Sequence, residues 1–175
     1  MHILAVDMNK QPMNIVFRLR DELPGHLEHV RRIRRLTMDA SQPDSGLSGK
    51  HGLFGSLEWW NNIALGRMPL LRLSGKVEGC RVAQADREGV HVLAIRALDG
   101  SLHAVEAHAA DASCLSAFQV GQVVSVLCAL DELKWPAAED GERVARIALE
   151  MAVMEEPLPV RLERRDAGPA TSIRS

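Results

Sequence analysis

The spacing of apolar positions changes along the chain, from helical spacing in the first third to strand-like alternation afterwards. Residues 2–6 and 14–20 are short apolar runs separated by a polar segment with a proline, which predicts the two strands of a hairpin. Over Leu23–Met38 the apolar residues recur at helical spacing, and Pro24 suits the first turn of a helix. This pattern predicts an amphipathic helix with a basic outer face.

A second, shorter helix is predicted over Leu57–Leu65, after a segment without hydrophobic periodicity. Residues 39–52 are rich in Ser, Gly, Asp and Pro, which indicates a linker or mobile loop and the best domain boundary in the chain. Ser56 can cap the helix and Gly66 can end it. This helix and its connections form a segment over residues 53–69.

Short β segments dominate from Leu70 onward. Five strands and one short helix are predicted there, at 70–82, 90–97, 102–109, 111–118 (the helix), 122–130 and 143–154. Gly75 and Gly79 inside the first strand indicate a bulge or a sharp bend. The last segment also fits a helical stripe, but a strand is preferred because the strand before it would otherwise have a bare edge.

This order of elements predicts a mainly β fold with flanking helices, centred on a small five-stranded Greek-key β-barrel that is OB-like. The short helix would plug the barrel, and the first strand would bend to pair with two neighbours. The barrel would span residues 70–155, after an N-terminal extension over residues 1–52, and residues 156–175 are expected to be a disordered tail. An SH3-like barrel or a β-sandwich is the alternative.

Composition and charge narrow the classes of function. The net charge of −2 over 175 residues creates no global attraction to nucleic acid or to an anionic membrane. The three cysteines are odd in number and form no CxxC motif, so the sequence predicts a reducing cytoplasm. No stretch approaches the roughly 20 apolar residues that span a bilayer. Abundant Ala and Arg with little Lys is typical of a GC-rich bacterial genome.

Two histidines are the weak candidates for a metal site. If the Asp-Gly step at 99–100 forms a two-residue turn, His91 lies opposite His108, with Glu106 on the same face. Two imidazoles and a carboxylate could bind a divalent cation. A solvated sheet face that tolerates histidine is the favoured interpretation, so we predict neither a metal nor a cofactor.

The predicted second helix carries candidates for a protein interface. Trp59, Trp60 and Ile63 lie together on or beside one face, and tryptophan often anchors protein contacts. Packing of this face on the barrel is the favoured alternative.

The basic helix carries candidates for nucleic-acid binding. Arg31, Arg32 and Arg35 occupy its outer half and could contact phosphates, although a solvated face is the favoured interpretation. The barrel segment contains only two aromatic residues, Phe118 and Trp135, so it offers almost no platform for stacking bases.

No arrangement of residues indicates a catalytic site. The segment around Lys50 imitates part of a phosphate-binding loop but lacks the Ser or Thr that should follow the lysine. The sequence therefore predicts a non-enzymatic protein-binding or assembly module, whose partner is another protein or a second copy of the chain. The alternative is a nucleic-acid-binding accessory protein that uses the basic helix beside the barrel.

Overall fold

One antiparallel β-sheet of six strands forms the centre of the structure. The computed structural model describes residues 12–83, 90–108, 118–135 and 143–154. In chain order the strands are β1 (Met13–Arg18), β2 (Leu70–Ala83), β3 (Val90–Ala97), β4 (Leu102–Glu106), β5 (Val123–Glu132) and β6 (Val144–Met154). Across the sheet they lie in the order β1-β6-β5-β2-β3-β4, and every neighbouring pair is antiparallel.

The helical segments follow β1 and precede β2. They are α1 (Leu19–Glu22), a 3-10 turn (Leu23–His26), α2 (Leu27–Met38) and α3 (Leu57–Ala64). The Ser56 hydroxyl accepts the backbone N–H of Trp59 at 3.2 Å, and Gly66 follows α3 with a φ of +67°. The two helices predicted from sequence and the caps of the second are confirmed.

The predicted five-stranded closed barrel is not confirmed, because β6 has no free edge for closure. One edge of β6 pairs with β5, and the other pairs with β1, from Met13↔Met154 to Arg18↔Glu150. Among the described residues β4 has no partner beyond β3, so the sheet stays open with β1 and β4 at its ends. Three predicted segments lie outside the described residues: the strand at 2–6, residues 111–117 of the plug helix, and the tail at 156–175.

The strand β2 pairs with two neighbours, as the sequence predicted for the first strand after residue 70. Its first half pairs with β5 from Leu70 to Lys76, and its second half pairs with β3 from Gly75 to Ala83. Gly75 belongs to both ladders, and a Cβ built on it would lie 2.1 Å from the carbonyl oxygen of Arg96. The pairing with β3 shifts register between Val77 and Gly79, which confirms a bulge in this strand.

The turn between β3 and β4 differs from the predicted two-residue turn. The observed register pairs Leu93 with Val105 and Arg96 with Leu102, and the Ala97 N–H donates to the Ser101 oxygen at 2.9 Å. Residues 98–100 therefore form a three-residue loop, in which Gly100 has a φ of +86°. The register moves by one residue relative to the prediction, and one residue is enough to send a side chain to the opposite face.

The last described segment is a strand and not the alternative helix. β6 pairs with β5 from Val144 to Val153, with one register shift opposite the step from Leu127 to Cys128. Met151 and Ala152 are fully buried, because β6 lies inside the sheet between β5 and β1. The preference for a strand at this position is confirmed.

The helices and the loop before α3 cover one face of the sheet. Their side chains pack on the β5 and β6 side chains of that face, and the buried members of this cluster are Val30, Leu47, Phe54, Trp59, Ile63, Met68, Leu127, Ala129, Leu149 and Ala152. Leu47 also makes an isolated bridge to Leu133, and the Ser48 N–H donates to the Glu132 oxygen at 2.7 Å. The segment predicted as a linker thus has no helix or strand but contributes Leu47 to the core.

The opposite face of the sheet holds a second apolar cluster. Its buried members come from all strands except β4 and include Phe17, Leu93, Ile95, Val124, Val126 and Met151. The His108 ring, two residues after β4, stacks on Phe17 at a centroid distance of 5.0 Å. The His108 N–H also lies 3.3 Å from the sulfur of Met151. These contacts join the chain after β4 to β1 and β6, so the sheet curls around this cluster.

Candidate functional site

The two adjacent tryptophans of α3 have different environments. Trp59 is fully buried, and its indole N–H donates to Asp131 Oδ2 at 2.8 Å. Ile63, one turn later, is buried beside it. Trp60 is only half-buried, and the guanidinium carbon of Arg20 lies 4.8 Å from its ring centroid. Of the three predicted interface residues, Trp60 alone has a substantial exposed area.

Asp131 is a buried carboxylate beneath α3. Asp131 is 1% exposed, and its Oδ1 atom accepts no hydrogen bond from the described residues. Burial raises the pKa of this carboxyl, and the Trp59 N–H and the nearby His51 lower it to a smaller extent. The geometry assigns Asp131 to holding α3 against the end of β5, because its hydrogen bond with the Trp59 indole joins those two elements.

Replacing Asp131 by asparagine is expected to flatten the pH dependence of stability. Because the pKa of Asp131 in the folded chain lies above its ordinary value of 3.8, the folded state binds the extra proton. The stabilisation from this bound proton is therefore present in full below pH 3.8, the ordinary pKa, and is lost as the pH rises through the raised pKa of the folded chain. Urea unfolding of both proteins at several pH values would measure this, and identical slopes for the two would contradict it.

The arginines predicted to contact nucleic acid lie on the outer surface of α2. Arg31, Arg32 and Arg35 are all exposed, and Arg31 forms an ion pair with Glu28 at 2.5 Å. Arg34, which the sequence did not single out, donates to the carbonyl of Phe54 at 2.9 Å and so joins α2 to the loop before α3. The exposed arginines are available to a ligand, but exposure alone does not distinguish a binding face from a solvated one.

The structure does not place His91 and His108, the weak candidates for a metal site, opposite each other. In the observed register the Ala107 N–H donates to the His91 carbonyl at 2.8 Å, so His91 lies opposite Ala107 and not opposite His108. Instead, His91 Nδ1 lies 3.8 Å from the sulfur of Cys80. Burial against Phe17 lowers the pKa of His108, although Glu106 opposes this effect. In the described part of the chain, no group of three or more His, Cys, Asp or Glu side chains is placed to hold a metal.

Sequence reasoning missed a part of the sheet that the helices leave uncovered. Residues that pair across neighbouring strands lie on the same face of the sheet. Lys76 pairs with Arg96, and Arg96 pairs with Leu102, so the face that carries the helices continues past α3 onto β3 and β4. We call this area the open face; its side chains belong to Lys76, Glu78, Arg81, Val92, Ala94, Arg96, Leu102, Ala104 and Glu106. The alternation of exposed and half-buried residues in β4 is a local signal for an exposed face, but the predicted closed barrel has no strand edge at this position.

The open face has a small apolar centre with charged surroundings. Leu102 is 56% exposed, Ala104 is exposed, and Val92 and Ala94 are partly exposed. Arg96 pairs with Glu78 through two contacts, one of them from Nη2 to Oε2 at 2.8 Å. This hydrogen bond lowers the pKa of Glu78 and raises that of Arg96, because it favours the charged form of each. A small apolar surface with a charged border is typical of a contact area for another protein.

The outer edge of β4 lies beside the open face. At the two ends of this strand the Ser101 oxygen and the Ala107 N–H bond to β3. Since backbone groups alternate in direction along an antiparallel strand, the N–H and C=O groups of residues 102, 104 and 106 point away from β3. No strand among the described residues pairs with this edge.

The comparison with known families assigns the chain to the immunity proteins. A family model described as "Immunity protein RhsI2" matches residues 13–154, from the first residue of β1 to the last residue of β6. The chain belongs to this family. No curated protein matches its sequence. In the ranges that the structure covers, none of the helices has the length and apolar character needed to cross a membrane.

Proposed function

We propose that this chain is an immunity protein that binds a toxin polypeptide and blocks its action by occupying its surface, without catalysing a reaction. The family match supports this proposal, because it extends over the complete six-stranded sheet. The proposal gives a specific partner to the protein-binding module that the sequence predicted. We expect the chain to act in the cytoplasm, in line with its odd number of cysteines.

Trp60 is the residue of the predicted interface set that we retain as a candidate contact. It is half-buried and lies beside Arg20, so it offers an aromatic surface that is already held in place. Trp59 and Ile63 would act indirectly, by fixing α3 on the sheet.

The nucleic-acid alternative has no comparable support. Binding through Arg31, Arg32 and Arg35 stays a prediction, and it requires an affinity that falls steeply as salt is added. A mobility-shift assay with single- and double-stranded DNA and RNA at low salt tests it directly. The absence of a shift at low salt would remove this alternative.

Co-expression with a toxin tests the proposed function. The probes are candidate toxin domains from the same genome, each expressed from an inducible promoter in a bacterial host with and without the present chain. We expect this chain to restore growth and to form a stoichiometric complex that buries about 1,200–2,000 Å² in total, the range of stable protein interfaces. An unrelated immunity protein of similar size is the control. Continued growth arrest in the presence of soluble, folded chain would contradict the proposal.

A further inference from the structure

We propose that the toxin docks on the outer face of α2 and on Trp135 beside it, through a surface of the toxin that is acidic. This inference rests on the proposed function and adds to it the contact surface and the chemistry of the partner. The outer face consists of exposed side chains on the side of α2 away from the sheet, and they belong to Leu27, Glu28, Arg31, Arg32, Arg35 and Met38.

The packing of α2 determines which of its side chains face outward. Val30 is buried and Ile33 packs against the same apolar cluster, so this side of the helix rests on the sheet. At about 100° per residue, the six members of the outer face lie within a sector of about 140° on the other side. They form one continuous surface on a helix that is already held in place.

The outer face is basic, although the chain as a whole has a net charge of −2. Three arginines stand against one glutamate, which gives the face a net charge of +2. The residues at its border do not cancel this charge, because Arg34 and Lys134 balance Asp39 and Asp44 of the following loop. Positive charge is therefore concentrated here, and an acidic surface complements it.

The arginines of this face are available to a partner. Arg32 and Arg35 form no ion pair with any other residue in the described ranges. Arg31 pairs with Glu28 on the same helix, but both side chains are mostly exposed, so water screens this pair. A guanidinium can bind a carboxylate through two parallel hydrogen bonds, which suits Asp or Glu side chains of the partner.

Exposed apolar side chains at both ends distinguish this face from a solvated basic helix. Leu27 is 54% exposed and Met38 is 65% exposed, and they lie about 16 Å apart along the helix axis. The aliphatic stems of Arg31 and Arg35 lie between them on the same side of the helix. A partner that covers this stripe would remove apolar area from water as well as pair the charges.

Trp135 extends the apolar surface at the C-terminal end of α2. Lys134 Nζ donates to the carbonyls of Leu36 and Asp39, the second at 2.8 Å, and so ties its segment to the end of the helix. Trp135 is the next residue and is 61% exposed. Tryptophan, arginine and methionine are enriched in protein interfaces, and all three occur together here.

A protein fits this face better than nucleic acid or a second copy of the chain. A phosphate backbone would pair with the arginines but offers no apolar surface to Leu27 and Met38, whereas a protein offers both. Two copies of the outer face would bring like charges together, which opposes self-association. An acidic protein surface with apolar positions matches the charge and the two apolar ends.

Charge reversal on α2 tests the docking surface. The probe is the candidate toxin domain whose growth arrest this chain relieves, and its Kd for each purified variant is measured by calorimetry. Arg35→Glu should raise the Kd about tenfold or more at low salt, and this effect should shrink as salt is added. Arg35→Gln should raise the Kd by a smaller factor, because it removes the charge without reversing it. Circular dichroism spectra that match the original chain would establish that both variants fold.

Arg81→Glu is the matched control, because it makes the same change of charge at an exposed position of the open face. Its Kd should stay within about threefold of the original value. An equal effect of the two reversals, or a larger effect at Arg81, would overturn the inference and leave the proposed function intact.

A neutral substitution tests the apolar part of the surface. Met38→Gln keeps the length of the side chain and its helix propensity, and it should raise the Kd about fivefold or more. Leu98→Gln is the control, since Leu98 is 86% exposed in the loop between β3 and β4, and its Kd should stay within about twofold. Equal Kd values for the two variants would contradict a contact at the end of α2.

Two further outcomes would exclude the proposed partner. If Arg35→Glu abolished a mobility shift with DNA or RNA and left the Kd for the toxin domain unchanged, α2 would bind nucleic acid and the inference would be wrong. If the original chain neutralises no candidate toxin domain, the proposed function and this inference fail together.

Discussion

Replacing Gly75 by alanine is expected to lower the free energy of unfolding by about 3 kcal/mol or more. A methyl group at this position would lie 2.1 Å from the carbonyl oxygen and 2.7 Å from the carbonyl carbon of Arg96, so β2 and β3 would have to separate. Gly75 pairs with Ala97 and with Val124, and a shift there would disturb two ladders at once. For a chain of this size the melting temperature should fall by about 10 °C.

The neighbouring Gly79 provides the matched control. It lies in the same strand at the bulge, and a Cβ built on it meets nothing within 4 Å. Gly79→Ala should therefore change the free energy of unfolding by less than about 1 kcal/mol, because neither a clash nor a positive φ opposes it. Thermal and urea unfolding of both variants would measure the difference. Equal stabilities would show that the close approach of Arg96 to Gly75 is not what requires glycine.

Replacing Trp59 by alanine is expected to lower the free energy of unfolding by about 3–5 kcal/mol. The indole is fully buried, and it contacts the Phe54 ring edge-on at a centroid distance of 5.2 Å. Its removal leaves a cavity and deprives the buried Asp131 carboxylate of its side-chain donor. Both losses destabilise the attachment of α3, so urea unfolding followed by circular dichroism should show a lower midpoint.

Trp60→Ala is the control for this variant, since it makes the same change one position later in the same helix. Trp60 is only half-buried, so its loss should cost clearly less than the loss of Trp59. A double-mutant cycle with Trp59→Phe and Asp131→Leu isolates the hydrogen bond, because removal of both partners leaves no unsatisfied group. Additive effects in this cycle would contradict a role for the bond between Trp59 and Asp131.

The sequence predicts the strands of this fold well because their signals are local. The mid-strand glycines of β2 predict its bend and bulge. The caps at Ser56 and Gly66 defined α3 within one residue. Each of these signals depends on neighbouring residues, so it survives without any knowledge of the rest of the molecule.

The sequence predicts strand pairing less well, because a pairing depends on distant residues. The sequence predicts a hairpin between residues 14–20 and residues 2–6, and the latter lie outside the described residues; among the described strands the partner of β1 is β6. That pairing occupies the second edge of β6, and among the described strands the sheet stays open with β1 and β4 at its ends. The Asp-Gly step at 99–100 fits a two-residue turn and a three-residue loop equally, because Gly100 provides a positive φ in either case. The choice between them decides whether His91 lies opposite His108 or opposite Ala107.

The candidate surfaces were predictable only in part. Adjacent tryptophans are separated by about 100° on a helix, so the two differ in burial: Trp59 lies inside the cluster and Trp60 packs at its border. Their hydrophobicity could not show which one is buried, since that depends on where Asp131 and Phe54 lie. The sequence does not predict the open face, because that face depends on which strands of the sheet the helices cover.

The pairing of β1 with β6 has a consequence for the order in which this chain folds. Met13 and Met154 are partners although 141 positions separate them, so their contact closes a loop that includes almost the whole sheet. Contacts of such long range are formed late, after local hairpins such as β3–β4. During synthesis β1 leaves the ribosome early, whereas its partner β6 emerges after the other described strands. An incomplete chain that lacks β6 would therefore expose one edge of β5 and leave β1 without its β6 partner.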